Sequence, residues 1–210
     1  MEIYYRRNLP HYQPDGGEFF CTFRLIGSLP KDVIDRYKHQ NNLLEQAFKQ
    51  KSISKTELNS RKFSNFDNLL DKYSSNNFWL KQPNIAQIVA KKLHDLDSQK
   101  YQLISFCIMP NHVHLLVKLF EQNTSEENST RYPLTSILKQ IKGSTAVQCN
   151  KILKRSGQFW QHESYDHLVR DCSERQKIIR YILQNPVQAG LVPNWKKWPW
   201  TFCKEKFLPV

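Results

Sequence analysis

Two apolar runs with a two-residue break between them constrain this chain more than any other feature. YQLISFCIM (101–109) and HVHLLVKLF (112–120) both carry the β-branched and aromatic content of strands. Pro110-Asn111 leaves room only for a tight antiparallel hairpin, and runs this apolar belong in the middle of a sheet. The second run holds His112 and His114 two residues apart. Side chains alternate along a strand, so both imidazoles project from one face, close enough to hold a single metal ion. A strand histidine can equally be a packed, hydrogen-bonded residue, and an isolated His-x-His leaves both readings open.

The rest of the chain supplies partners for that hairpin. FFCTFRLIG (19–27) reads as a strand ending in the turn Gly27-Ser28-Leu29-Pro30. Lys31 to about Gln50 has helical spacing, as does the segment opened by Pro83-Asn84 and running to about Leu96. Between them, 51–82 is a polar insertion rich in Ser, Asn and Lys, expected to be irregular or partly helical. The low-complexity stretch 121–132 reads as a mobile loop, followed by a helix from about Leu134 to Lys154 that Gly157 ends. ESYDHLVRD (163–171) looks extended, and a last helix capped by Ser173 runs to about Gln184, where Pro186 stops it. The three tryptophans of NWKKWPWTF (194–202) should pack back on the body.

The order strand, helix, strand, strand, helix, strand, helix predicts an α+β fold in a single domain over 1–210. Its core is a ferredoxin-like antiparallel sheet with helices on one face, an insertion after the first strand and an extra C-terminal helix.

Composition narrows the class. The chain is 40% hydrophobic and 12% aromatic, which excludes disorder, and no apolar run approaches the length of a bilayer span. The N-terminal MEIYYRRNLPHY has no apolar signal core, so a cytoplasmic protein is expected. Five cysteines without a CxxC argue against both a disulfide framework and a zinc ribbon. A net charge of +12, from 31 Lys and Arg against 19 Asp and Glu, favours a polyanionic partner, of which nucleic acid is the commonest. Arg6 and Arg7 beside Tyr4 and Tyr5 mix cations with stacking rings, a composition that suits single strands or a frayed terminus. Lys139 and Lys142, with Lys151, Lys154 and Arg155, form either a phosphate-binding stripe or a solvated helix face. His162 and His167 flank Tyr165 and read as a second metal pair or as surface and DNA-contact residues.

In the last helix Tyr181 and Asn185 stand four apart and so share one face. MPNHVHLLV, then FWQ (159–161), YDHLVRD (165–171), YILQNPVQAGLV (181–192) and WPW (198–200), resemble the HUH-type tyrosine transposases. The likeness is closest to the branch associated with repetitive extragenic palindromes (REP) in bacteria, and YYRRNLPHY, FFCTFRLIG and WLKQPNIAQIV (79–89) match that branch as well.

The resemblance implies a metal-dependent single-stranded DNA endonuclease and strand transferase that cleaves at hairpins through a 5′-phosphotyrosine. His112, His114 and Asn185 would be ligands of a divalent ion, Mg²⁺ or Mn²⁺, and Tyr181 the nucleophile. Tyr165 is a competing nucleophile without a polar partner one helical turn on. Phosphodiester chemistry explains these residue types, since a cation on the non-bridging oxygens withdraws charge and orients the bond for in-line attack. A phenol of ordinary pKa near ~10 needs help to react near neutrality. The resemblance implies a monomer or a homodimer. Two other readings stand beside it: a non-cleaving nucleic-acid-binding module of the same fold, and a replication initiator or relaxase, against which the absence of a helicase segment argues.

Overall fold

The structure is a computed structural model that describes residues 4–6, 10–72, 77–121 and 132–209. Most of the expected loop at 121–132 and Arg7 lie outside the described residues. The chain divides into two compact units, one formed by Met1–Leu25 with Trp79–Val210, the other by Ile26–Phe78.

The second unit is a helical hairpin of α1 (Lys31–Lys49) and α2 (Lys55–Lys72). The polar stretch expected to be irregular or partly helical contains a long regular helix, which starts where the Ser54 hydroxyl accepts the Glu57 N–H at 3.1 Å. Leu29 and Val33 pack against Leu70, and Tyr37 meets Phe66, so the helices run antiparallel. These scattered apolar residues are too sparse for an obvious period in sequence, yet they suffice for one seam.

The first unit is built on five antiparallel strands: β3 (Glu18–Leu25), β4 (Tyr101–Ile108), β5 (His112–Leu119), β6 (Trp160–Leu168) and β7 (Thr201–Cys203). Their order is β6-β3-β5-β4-β7. The first four reproduce the ferredoxin-like arrangement, and β7 extends it beyond β4. Two short strands, β1 (Tyr4–Arg6) and β2 (Pro10–Tyr12), pair separately. As the apolar runs require, β5 is central and pairs along its length with both β3 and β4.

Alternation divides the sheet into two chemically different faces. Val113, Leu115, Val117 and Leu119 of β5, with Phe19, Cys21, Phe23 and Leu25 of β3, enter the main core. There they meet Ile85, Val89 and Leu93 of α3 (Pro83–Asp95) and Leu134, Ile137, Leu138 and Ile141 of α4 (Pro133–Ile152). The opposite face carries His112 and His114 and their cross-strand partners Arg24 and Thr22. The extra C-terminal helix, α5 (Cys172–Gln188), covers this second face, where Tyr181 meets the rings of His114 and Phe20.

Several boundaries differ from expectation for local reasons. Asp171, not Ser173, caps α5, accepting the Glu174 N–H at 2.8 Å, while the Glu174 carboxylate reaches back to the Arg170 N–H at 2.8 Å. Pro186 does not stop α5 but lies inside its last turn, since losing one intrahelical bond there is tolerated when the ring is buried. The turn closes through Leu191 N–H to the Pro186 carbonyl at 2.9 Å, and Gly190 takes the left-handed φ of 69° that ends it. The fourth long strand begins at Trp160, earlier than expected. The tryptophan-rich tail does return to the body: Trp198 Nε1 donates to the Ile108 carbonyl at 3.0 Å, and the Ile108 N–H to the Trp200 carbonyl at 2.9 Å. None of the five cysteines is in a disulfide, and among the described residues no helix is long and apolar enough to cross a membrane.

Leu115 is fully buried at the centre of β5. Leu115→Ala is expected to lower the unfolding free energy by about 3 kcal/mol, read from urea denaturation, and a change near zero would remove β5 from the centre of the core.

Candidate active site

The site begins with two buried imidazoles. His112 and His114 are 1% and 0% exposed, and their Nε2 atoms stand 2.9 Å apart. Each ring is held from behind. His112 Nδ1–H donates to Asn111 Oδ1 at 2.6 Å, which leaves its Nε2 with a lone pair. His114 Nδ1 lies 2.9 Å from the Thr22 hydroxyl, its neighbour across β3. Burial pulls the His112 imidazole down to about 3, and burial together with the adjacent His112 holds His114 well below its ordinary value. Both rings are therefore neutral near neutrality, the form that ligates metals.

α5 delivers the second half of the site. Its N-terminal part is tied to the sheet by a hydrogen bond between His167 of β6 and Glu174 at 3.0 Å and an ion pair of Arg175 with Glu18 of β3 at 3.1 Å. Burial alone would raise the Glu174 carboxyl, but hydrogen bonds from Arg170 and His167 outweigh it and hold it at about 2. Further along, Ile179, Ile182, Leu183 and Pro186 are buried. This anchoring brings the half-buried Tyr181 to the histidines, its oxygen 3.4 Å from His114 Nε2. One turn on, Asn185 is fully buried and donates through Nδ2 to the Tyr181 oxygen at 2.9 Å.

The donor set fits a divalent cation. Asn185 Oδ1 is buried without a hydrogen-bond partner, an arrangement a protein rarely tolerates unless something else satisfies the oxygen. Thr22 can act as donor or acceptor. With the His114 proton on Nδ1 and given to Thr22, both Nε2 lone pairs point at each other across 2.9 Å, and a positive charge between them relieves the repulsion. Among the described residues no group of three or more His, Cys, Asp or Glu could hold an ion, so a third ligand beside this pair would be of another kind, such as the neutral Asn185 amide oxygen. Two imidazoles and one amide oxygen suit Mn²⁺ better than the oxygen-preferring Mg²⁺.

The structure thus brings His112, His114, Tyr181 and Asn185 together in one chain. It does not bring Lys139 and Lys142 there. Both stand on α4, on the other side of the sheet, where Lys142 Nζ donates to the His162 carbonyl at 2.7 Å and to the Ser164 hydroxyl at 3.1 Å. Arg6 lies in β1 and Arg7 outside the described residues. His162 and His167 do not form a metal pair: His162 is mostly exposed and His167 is bound to Glu174, on opposite faces of β6. Tyr165 does share the face of His114, but it is aligned with Thr22, one strand beyond β3.

Three residues escaped the sequence reading. Asn111 and Thr22 orient the imidazoles, and Arg24, aligned with His112, is 8% exposed. Burial lowers the Arg24 guanidinium to about 10, so it remains a cation beside the pair. The available signal was Thr22 and Arg24 themselves, two polar residues at strand spacing inside an otherwise apolar run.

Comparisons with known proteins bear on the fold and the family. A protein of Haemophilus influenzae described as a candidate REP-associated tyrosine transposase is 30% identical over 102 residues, covering 48% of this chain and 58% of that protein. An uncharacterized protein of the same organism is 28% identical over 95 residues, covering 39% of this chain and 52% of its own length. The chain therefore spans about half the length of the curated relatives it matches. A solved structure of a REP-associated tyrosine transposase bound to a REP hairpin superposes with a TM-score of 0.52 at 17% identity, over 94% of this chain and 80% of that one, which is a likeness of fold. The family described as transposase IS200 like matches residues 77–185, a stretch that contains all four residues gathered at the site. The chain belongs to the IS200-like transposase family.

Proposed function

We propose that this chain is a single-tyrosine DNA endonuclease and strand transferase that acts on single-stranded DNA at hairpins. The observation that carries this reading is the Tyr181 oxygen, 3.4 Å from His114 Nε2 and 2.9 Å from Asn185 Nδ2. The hairpin bound by the structural neighbour supports the substrate class. Action on DNA supports a cytoplasmic location.

In the proposed reaction the Tyr181 oxygen attacks phosphorus, the phenolic proton passes to water, and the P–O3′ bond breaks. The departing 3′ oxygen takes up a proton, and the 5′ phosphate stays on Tyr181. A hydroxyl of another strand end then attacks the phosphotyrosine and restores the phenol, so the bond energy is conserved through rejoining. Asn185 stabilises the phenolate by donating its amide N–H, and Phe20, edge-on at 6.0 Å, limits where the ring can turn. Arg24 adds a fixed positive charge on the imidazole face, which favours a phosphate there. His112, His114 and Asn185 would hold Mg²⁺ or Mn²⁺, which supplies charge withdrawal from the non-bridging oxygens. Nucleophile and imidazoles come from one chain, which supports a monomer as the working unit. Arg6, Arg7, Lys139 and Lys142 would contact the DNA backbone away from the reacting phosphate.

A labelled hairpin oligonucleotide incubated with protein and Mn²⁺ should give a covalent adduct on denaturing gels that is lost in Tyr181→Phe and kept in Tyr165→Phe. An adduct that persists in Tyr181→Phe overturns the assignment, and tight hairpin binding without any adduct in the wild type points to a non-cleaving binding module. Asn185→Ala should raise the Mn²⁺ concentration needed for half-maximal adduct formation by roughly 10-fold or more. A third expectation concerns acid. Unfolded, the two imidazoles take up protons below their ordinary 6.5, whereas the folded chain keeps them neutral until His112 titrates at about 3. Their contribution favours folding above 6.5 and is lost as pH falls below it, on the order of 1 kcal/mol per pH unit for each ring. Urea denaturation across pH should show this loss, and His112→Gln/His114→Gln should flatten it above the range where Glu174 titrates.

A further inference from the structure

The turn between β4 and β5 delivers His112, and it is held from two sides. From β3, the Leu25 N–H donates to the Asn111 carbonyl at 2.9 Å, and across the turn the Met109 N–H donates to the His112 carbonyl at 2.9 Å. The other arm ends at Ile108, whose N–H and carbonyl both point away from β5, toward the edge of the sheet. β7 pairs with β4 over Ser105, Phe106 and Cys107 and so stops one residue short of them.

Residues 198–201 fill that place. The Thr201 N–H donates to the Trp198 carbonyl at 3.2 Å and closes a turn, with Pro199 where its fixed φ suits such a turn. The turn presents two groups side by side. The Trp200 carbonyl accepts the Ile108 N–H at 2.9 Å, and the Trp198 indole N–H donates to the Ile108 carbonyl at 3.0 Å. A side chain thus makes the hydrogen bond that a longer strand would have made. Trp200 packs against the main core, whereas what Trp198 adds over a phenylalanine is the donor.

The consequence reaches the imidazoles. Asn111, between Ile108 and His112, accepts the His112 Nδ1–H at 2.6 Å and so sets which nitrogen keeps its lone pair. The tail also meets the row of the second histidine: the Thr201 hydroxyl lies 3.4 Å from Cys107 Sγ, and Cys107 is aligned with His114. Ligating groups tolerate displacements of only about 0.5 Å, so what steadies this turn steadies the ligand. We propose that Trp198 is a positioning residue for the divalent-ion site: its indole N–H fixes the β4 arm of the turn and, through Asn111, the ring of His112. It lies beyond residues 77–185, the stretch matched by the family. This inference rests on the proposed use of His112 as a ligand.

Mn²⁺ titration followed by electron paramagnetic resonance, without DNA, reads the ion, and nitrogen NMR of the imidazoles reads the tautomer. Trp198→Phe keeps an aromatic ring and removes the donor. It should raise the Mn²⁺ dissociation constant by roughly 10-fold and, in the metal-free protein, turn the single Nδ1–H tautomer of His112 into a mixture. Pro199→Gly, at an exposed position, loosens the turn and should act in the same direction by roughly 3-fold. Val89→Ala in α3, on the other face of the sheet, should lower the thermal midpoint and leave both readings unchanged. A wild-type tautomer and Mn²⁺ constant in Trp198→Phe overturn the proposal, as does an equal loss in Val89→Ala, which would reduce the effect to stability. If Trp198→Phe does not fold, Pro199→Gly decides by the same two readings. If the wild type binds no Mn²⁺, the ligand reading falls, and the tautomer alone decides whether Trp198 positions His112.

Discussion

Two imidazoles with their nitrogens 2.9 Å apart, taken out of water at the centre of a sheet, are the constraint to which the rest of the first unit conforms. A polar pair in that position is tolerated only if each ring is satisfied from behind and neither is charged. Asn111 and Thr22 meet the first requirement, and burial itself meets the second. Both partners come from elements the histidines already need: Asn111 from the hairpin turn, Thr22 from the adjacent strand. The opposite face of the same strands carries an unbroken apolar core, which keeps the sheet stiff behind the pair.

α5 answers a different demand, that of holding one phenol at a fixed height above the histidines. It does so with two kinds of attachment. Near its start are directional contacts, the Asp171 cap, the Glu174 hydrogen bond and the Arg175 ion pair. Near its end is non-directional burial of Ile182, Leu183 and Pro186. Tyr181 lies between the two and Asn185 within the buried part, so the polar end of the site is the more tightly enclosed. The costly feature of this arrangement is the buried Asn185 oxygen without a partner, which the fold bears next to Tyr181.

The order of strands and helices was legible because each long apolar run has one period and one length. The histidine pair was legible because a strand has no freedom over which side its alternate residues face. What stayed hidden depended on contacts distant in sequence. Thr22 and His114 are 92 residues apart, and nothing local marks the threonine as an imidazole's partner. Proline in α5 looked like a terminator, but its burial is a tertiary fact that outweighs local propensity. The Asp171 cap was missed in favour of Ser173 because both are capping residue types, and only the position of Glu174 distinguishes them. β7 is three residues long, too short for any period, and exists because β4 offers an unpaired edge.

Because Tyr181 sits over the histidines of its own chain, gathering these side chains needs no encounter between two proteins. Such a molecule has no dissociation threshold: dilution slows its collisions with DNA but does not dismantle it. Under the proposed function, a few copies per cell would each be competent, and turnover would scale in proportion to their number rather than to its square.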